Sequence, residues 1–158
     1  MKLLEYNARF GDPEAMNILP ILKTDFVEIC RRIIDGTLDK IKIEFEHKAT
    51  VCKYVVPKGY GLPSDHPDAA SSKSKIEVGD TGKARLYYSS VDKKEDGLYL
   101  SSSRAIGIVG IADTLEEARN ITAEGVKAIK GPVAYREDIG TDALIEKRIE
   151  HMKTIRKE

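Results

Sequence analysis

The chain alternates between two hydrophobic periods. Leu4, Tyr6, Ala8 and Phe10 interleave with Glu5, Asn7 and Arg9, which predicts a strand with one apolar and one polar face. The run stops at Gly11, and Asp12 and Pro13 stand as N-cap and first residue of a short helix to Leu22, interrupted near Pro20. Thr24 or Asp25 then caps a helix over 25–34, stopped by Gly36. Its Phe26, Ile29, Cys30, Ile33 and Ile34 recur at helical spacing, and we assign that stripe to core packing. Residues 41–45 alternate Ile/Lys/Ile/Glu/Phe, a half-exposed strand or an extended linker.

Further on, β-prone runs and turn signals come first, then two helical patterns. Residues 49–56 are β-prone and run into a turn at Pro57–Gly61, whereas 62–75 lack periodicity and read as a mobile loop rich in Pro, Asp, Ser and Ala. Short strands are predicted over 76–78, 84–88, 98–100 and 105–110, with turns at 79–80, 92–97 and 101–103; their short links imply an antiparallel sheet. Thr114 and Glu117 form a T-x-x-E capping box for a helix to about Lys130, with Leu115, Ala118, Ile121, Thr122, Val126 and Ile129 on its buried face. Gly131-Pro132 ends it. A last helix over 141–157 carries Leu144, Ile145, Arg148, Met152 and Ile155 along one side. The fold class is α+β, with a first domain over 1–47 and a second over 48–158.

Charge narrows the function. Lys and Arg number 26, as do Asp and Glu, so nothing in the net charge draws the chain to a polyanion. A nucleic-acid-binding module would need a basic face, and there is no Trp. No apolar run approaches the ~20 residues of a membrane span, and the N-terminus lacks a signal-peptide core, so a cytoplasmic location is expected. Cys30 and Cys52 lack C-x-x-C spacing and read as buried thiols. His66 and His151 read as solvent-exposed. Lys58-Gly59-Tyr60-Gly61 lacks the spacing of a phosphate-binding loop and reads as a plain turn.

The polar face of the first strand holds the candidate chemistry. Glu5 and Asn7 offer two oxygen donors at i and i+2, which suit a hard cation such as Mg²⁺. Arg9 adds a planar fork for a phosphate or carboxylate. A solvated edge strand is the plainer alternative for such an alternation, and the Gly-Asp-Pro-Glu that follows makes the string more specific. Farther on, Arg136 and Asp138 either pair and lock their segment, the reading we favour, or leave Arg136 to touch a ligand. No general base or nucleophile is evident.

Glu5-Tyr6-Asn7-Ala8-Arg9-Phe10-Gly11-Asp12-Pro13-Glu14 resembles the last catalytic strand of the phosphoribosylamine–glycine ligases, ATP-grasp enzymes of purine biosynthesis. Tyr135–Gly140 resembles their Y-R-x-D-I-G segment. Arg104–Gly110 resembles their G-R-V-L-G-V-x-x-x-G segment, with serines before the arginine; Tyr87-Tyr88-Ser89-Ser90 stands where bacterial members usually have His-Ala-Gly-Thr. The resemblance covers essentially the whole chain but only the family's C-terminal part: the end of an ATP-grasp module and the C-terminal domain. It implies Glu5 and Asn7 as ligands of Mg²⁺ or Mn²⁺ on the nucleotide, Arg9 as catalytic, and Arg9, Gly11 and Asp12 as substrate-binding. It further implies ATP, glycine and 5-phosphoribosylamine as substrates, and the remaining N-terminal and ATP-grasp portion as partner. Without that portion the chain is expected to be inactive. A noncatalytic ligand-binding or subunit module derived from such a ligase would share the same residues.

Overall fold

The computed structural model describes residues 8–63, 65–67 and 73–156. They divide between Lys48 and Ala49 into two units.

In the first unit, residues 1–7 of the expected strand lie outside the described residues, while Ala8 and Arg9 form a bend. The helix α1 (Glu14–Ile18) begins one residue later than expected: Pro13 occupies the cap position, with ψ near 4°, so Asp12 is not the N-cap. Pro20 is accommodated where its missing N–H costs least, in a 3₁₀ turn over Leu19–Ile21. Asp25 does cap α2 (Phe26–Ile34), its Oδ1 accepting from the N–H groups of Val27 at 2.7 Å and Glu28 at 3.1 Å. Glu28 and Arg32 pair one turn apart at 2.7 Å. Residues 41–45 form no strand beyond an isolated bridge from Phe45 to Leu22.

The α2 stripe is not the core element its periodicity predicts. Among the described residues of this unit only Ile29 is buried; Phe26 and Ile33 are exposed, and Ile34 is 84% exposed. Periodicity reports an apolar face but not what covers it. Cys30 is half-buried rather than buried.

The second unit holds two four-stranded antiparallel sheets. β1 (Ala49–Pro57), β3 (Arg85–Tyr88), β6 (Ile106–Ala112) and β8 (Val133–Ala134) form one in the order β3-β6-β1-β8; β2 (Lys75–Val78), β4 (Val91–Lys94), β5 (Gly97–Leu100) and β7 (Ile129–Lys130) form the other in the order β4-β5-β2-β7. β1 and β6 run in register from Ala49 opposite Ala112 to Val55 opposite Ile106, so Val51, Lys53 and Val55 share a face with Gly110, Ile108 and Ile106. The helix α3 (Leu115–Lys127) lies against that face, opened by the Thr114–Glu117 capping box. It comes close because two contact points are glycines: a Cβ on Gly125 would fall 2.8 Å from the Ile108 side chain, and one on Gly110 would collide with the Ala118 carbonyl. Both sheets contribute to one core, with Ile76, Leu100 and Ile129 joining Val55, Ile106, Ile108 and Val126.

Three expectations change here. β4 overlaps the first half of the expected turn over 92–97; only Glu95-Asp96 turn, and Asp92, Lys93 and Lys94 are the exposed residues of an edge strand, where charge discourages further pairing. α3 stops at Lys127 because Ile129–Lys130 pairs with Glu77–Val78 instead of continuing the helix. Leu115 is exposed, and Gly125 takes a place on the buried face. The last helix, α4 (Asp142–Arg156), buries none of its residues. Of the predicted loop over 62–75, residues 64 and 68–72 lie outside the described residues. No described helix is long and apolar enough to cross a membrane.

Candidate functional site

Glu5 and Asn7 lie outside the described residues, so the metal-binding expectation starts without geometry. Among the described residues no three His, Cys, Asp or Glu side chains gather to hold a metal ion. The substrate-binding expectations are described. Arg9 is exposed and donates from Nη1 to the Phe10 carbonyl at 2.6 Å, which fixes one edge of its guanidinium beside the turn. Gly11 accepts from the Ala15 N–H at 2.9 Å through its carbonyl, and a Cβ there would collide with the Glu14 carboxylate, so glycine lets Glu14 fold back over the turn. Asp12 is exposed. The Phe10 ring stands 5.9 Å from that of Phe26, tying this turn to α2. Chemically, the turn offers a guanidinium and carboxylates at an open surface.

The second unit gathers more. Arg136 and Asp138 form the expected pair as a two-pronged fork, Nε to Oδ1 at 2.9 Å and Nη2 to Oδ2 at 2.6 Å. That fork holds the Asp138 carboxyl below the usual carboxylate range. The residue between them is tied down from below. Lys53, only 3% exposed on β1, donates from Nζ to the Glu137 carbonyl at 2.9 Å. Burial first, then the charge of Arg119, pushes the Lys53 ammonium below the ordinary lysine range, against Glu137 and Asp138, which raise it.

On the other face of β1, Tyr54 carries the guanidinium of Arg104 over its ring, 5.2 Å from the centroid. The segment just before β6, where Arg104 sits, is held through the substituted Tyr87–Ser90 string: the Ser90 N–H donates to the Arg104 carbonyl at 3.0 Å and the Ser89 N–H to that of Ala105 at 2.9 Å. The Ser101 hydroxyl donates to that of Ser90 at 2.7 Å. Tyr54, Tyr60, Arg104, Tyr135 and Arg136 thereby line a cleft of about 420 Å³.

Sequence reasoning passed over Lys53 and Tyr54. The signal for Lys53 was present, since β1 alternation puts a lysine on the same face as Val51 and Val55. Tyr54 shows no chemistry until β6 and the segment after β8 are brought beside it.

Residues 50–142 match the family model described as phosphoribosylglycinamide synthetase, C domain. Over 156 residues the chain is 51% identical to a phosphoribosylamine–glycine ligase of Methanocella arvoryzae, which covers 99% of this chain and 35% of that one. It is 52% identical over 161 residues to a phosphoribosylamine–glycine ligase of Methanocaldococcus jannaschii, with the same two coverages. A crystal structure of phosphoribosylamine–glycine ligase from Thermotoga maritima matches with a TM-score of 0.61 at 24% identity, over 86% of this chain and 32% of that one; the likeness is one of fold. The chain thus spans about a third of the length of the curated relatives it matches. With the family model covering more than half of its residues, the chain belongs to the phosphoribosylglycinamide synthetase family, whose C domain its second unit contains.

Proposed function

We propose that this chain supplies the C-terminal part of a phosphoribosylamine–glycine ligase acting in the cytoplasm: residues 1–47 end its ATP-grasp module and 48–158 form its C-terminal domain. The observation that carries this reading is identity of about half over 99% of the chain, which takes in the R-F-G-D-P-E string and the C domain in one alignment. In the proposed reaction the glycine carboxylate attacks the γ-phosphorus of ATP, giving glycyl phosphate and ADP. The amine of 5-phosphoribosylamine then attacks the acyl carbon, inorganic phosphate leaves, and the amide forms with loss of a proton. Such chemistry needs positioning and charge stabilisation more than a side-chain nucleophile.

Within this reading Arg9 is the catalytic cation, and Arg9, Gly11 and Asp12 bind substrate at the turn before α1. The carboxylate of Glu5 and amide oxygen of Asn7 are the donor types that Mg²⁺ or Mn²⁺ accepts, and the bound ion supplies charge neutralisation on the nucleotide phosphates. The remaining N-terminal and ATP-grasp portion is the partner of the first unit. The exposed Phe26, Val27, Ile33 and Ile34 give that partner an apolar face to cover, and the relatives are nearly three times as long as this chain.

The test is glycinamide ribonucleotide formation from ATP, glycine and phosphoribosylamine. The 158-residue chain alone should form none, and the same chain joined to the remaining two thirds of a relative's ligase should form it. Product from the chain alone overturns the inactivity. A folded, joined enzyme without activity overturns the ligase reading and leaves the noncatalytic module.

A further inference from the structure

The cleft beside Tyr54 draws its walls from the outer face of β1, the turn after it, Arg104 just before β6, and the end of β8 with the segment that follows it. Two guanidiniums line it, and none of its described lining residues is acidic. Both cations are oriented before any ligand arrives. Arg104 is stacked on Tyr54, and its main chain is fixed by Ser90. Arg136 is gripped along one edge by Asp138, a contact that engages its Nε and one Nη2 proton and leaves the Nη1 edge for a second acceptor. Lys53 holds the main chain between Arg136 and Asp138, so the fork cannot swing with its loop. Tyr54, Tyr60 and Tyr135 add flat walls and hydroxyl groups. The volume of about 420 Å³ lies near the small end of the ~300–1,000 Å³ range of ligand pockets. A compact anion carrying a hydroxylated body matches this set: planar guanidiniums for the anion, phenol rings and hydroxyls for the body.

We infer that this cleft binds the phosphate of a sugar phosphate, with Arg104 and Arg136 as the phosphate-binding pair and the tyrosines against the sugar. Resting on the proposed function, it is the subsite for the 5-phosphate of phosphoribosylamine, and so sets specificity for the amine substrate.

Ribose 5-phosphate, a stable probe, tests the site directly on the full chain by NMR titration. Saturable shifts are expected at Tyr54, Arg104, Tyr135 and Arg136; inorganic phosphate should perturb the same arginines more weakly, and ribose should perturb none. Arg104→Gln and Arg136→Gln should each weaken binding roughly ten- to hundred-fold, with the remaining spectrum unchanged. Arg156→Gln, which removes one positive charge from α4, should leave affinity as it was. Shifts that do not saturate, or that survive both cleft variants, overturn the site. In the joined enzyme Arg104→Gln should raise KM for phosphoribosylamine by at least about tenfold and leave KM for ATP unchanged. An unchanged KM for the amine overturns the substrate assignment. A joined enzyme without activity, whose cleft still binds ribose 5-phosphate, overturns the ligase reading while the phosphate site stands.

Discussion

The two units differ in what they do with their apolar side chains. In the second, Val55, Ile106 and Ile108 are 0% exposed, and both sheets and α3 close on one core. In the first, α2 has a strong amphipathic pattern, yet Ile29 is the only buried residue of the described part. A nine-residue helix is shorter than the ~12–15 residues an isolated helix needs in water, so α2 depends on packing. The amphipathic pattern of α2 is no weaker than that of α3, which does reach the core. The difference shows that period fixes which side of an element is apolar, and the neighbours alone decide whether that side becomes core.

Single substitutions can break or sharpen this contrast. Ile108→Ala should cost about 2–5 kcal/mol in unfolding free energy, the usual range for a large core side chain cut to alanine. Ile34→Ala should stay within about 0.5 kcal/mol. Urea unfolding of both variants measures the pair, and equal losses would mean that α2 shares the main cooperative core. Next in size is Thr122→Val. The Thr122 hydroxyl accepts from the Gly110 N–H at 2.8 Å and lies 2.8 Å from the Val51 carbonyl and 2.9 Å from that of Ala118, inserting α3 between facing residues of β1 and β6. Its loss strands buried main-chain groups and should cost about 1–3 kcal/mol, with Thr122→Ser recovering part of it.

The helix caps give a smaller effect. Thr114→Ala should remove about 1 kcal/mol from the unfolding transition of the second unit. Asp25→Ala removes the same kind of cap from α2 and should leave that transition unmoved, lowering helicity by circular dichroism instead. A matching shift in both variants would erase the distinction between the units.

The smallest effect is a slope. Because the Lys53 ammonium titrates below its ordinary value of 10.5, the unfolded chain binds more protons than the folded one between the lowered value and 10.5. Stability from this group therefore rises with pH across that window. Lys53→Met should lack the rise, so wild type should gain on the variant between neutral pH and about pH 10. Parallel stability curves would show that Lys53 titrates normally.

Much of this fold was legible because local and global signals agree. The T-x-x-E box opens α3, and the β-prone runs at 49–56 and 105–110 become the two central strands of the first sheet. Agreement fails where tertiary pairing decides. Val91–Lys94 has one apolar residue in four and is a strand only because β5 pairs with it. Ile129–Lys130 and Val133–Ala134 are too short to show any period. The candidate site divides similarly. Arg9, Gly11 and Asp12 are neighbours in sequence and could be named together, and so could Arg136 and Asp138. The Tyr54 cleft joins segments far apart in the chain, and no spacing rule brings them together.

The Lys53 tether bears on how freely this sequence can vary. Its acceptor is the Glu137 carbonyl, a group every amino acid possesses. A substitution at position 137 therefore keeps this hydrogen bond and the path of the chain that it fixes. The neighbours have no such licence, since Arg136 and Asp138 recognise each other through their side chains. Within Tyr135–Gly140, Glu137 is thus held by a main-chain hydrogen bond, while its side-chain charge also acts on Lys53, an effect that a neutral substitution would remove.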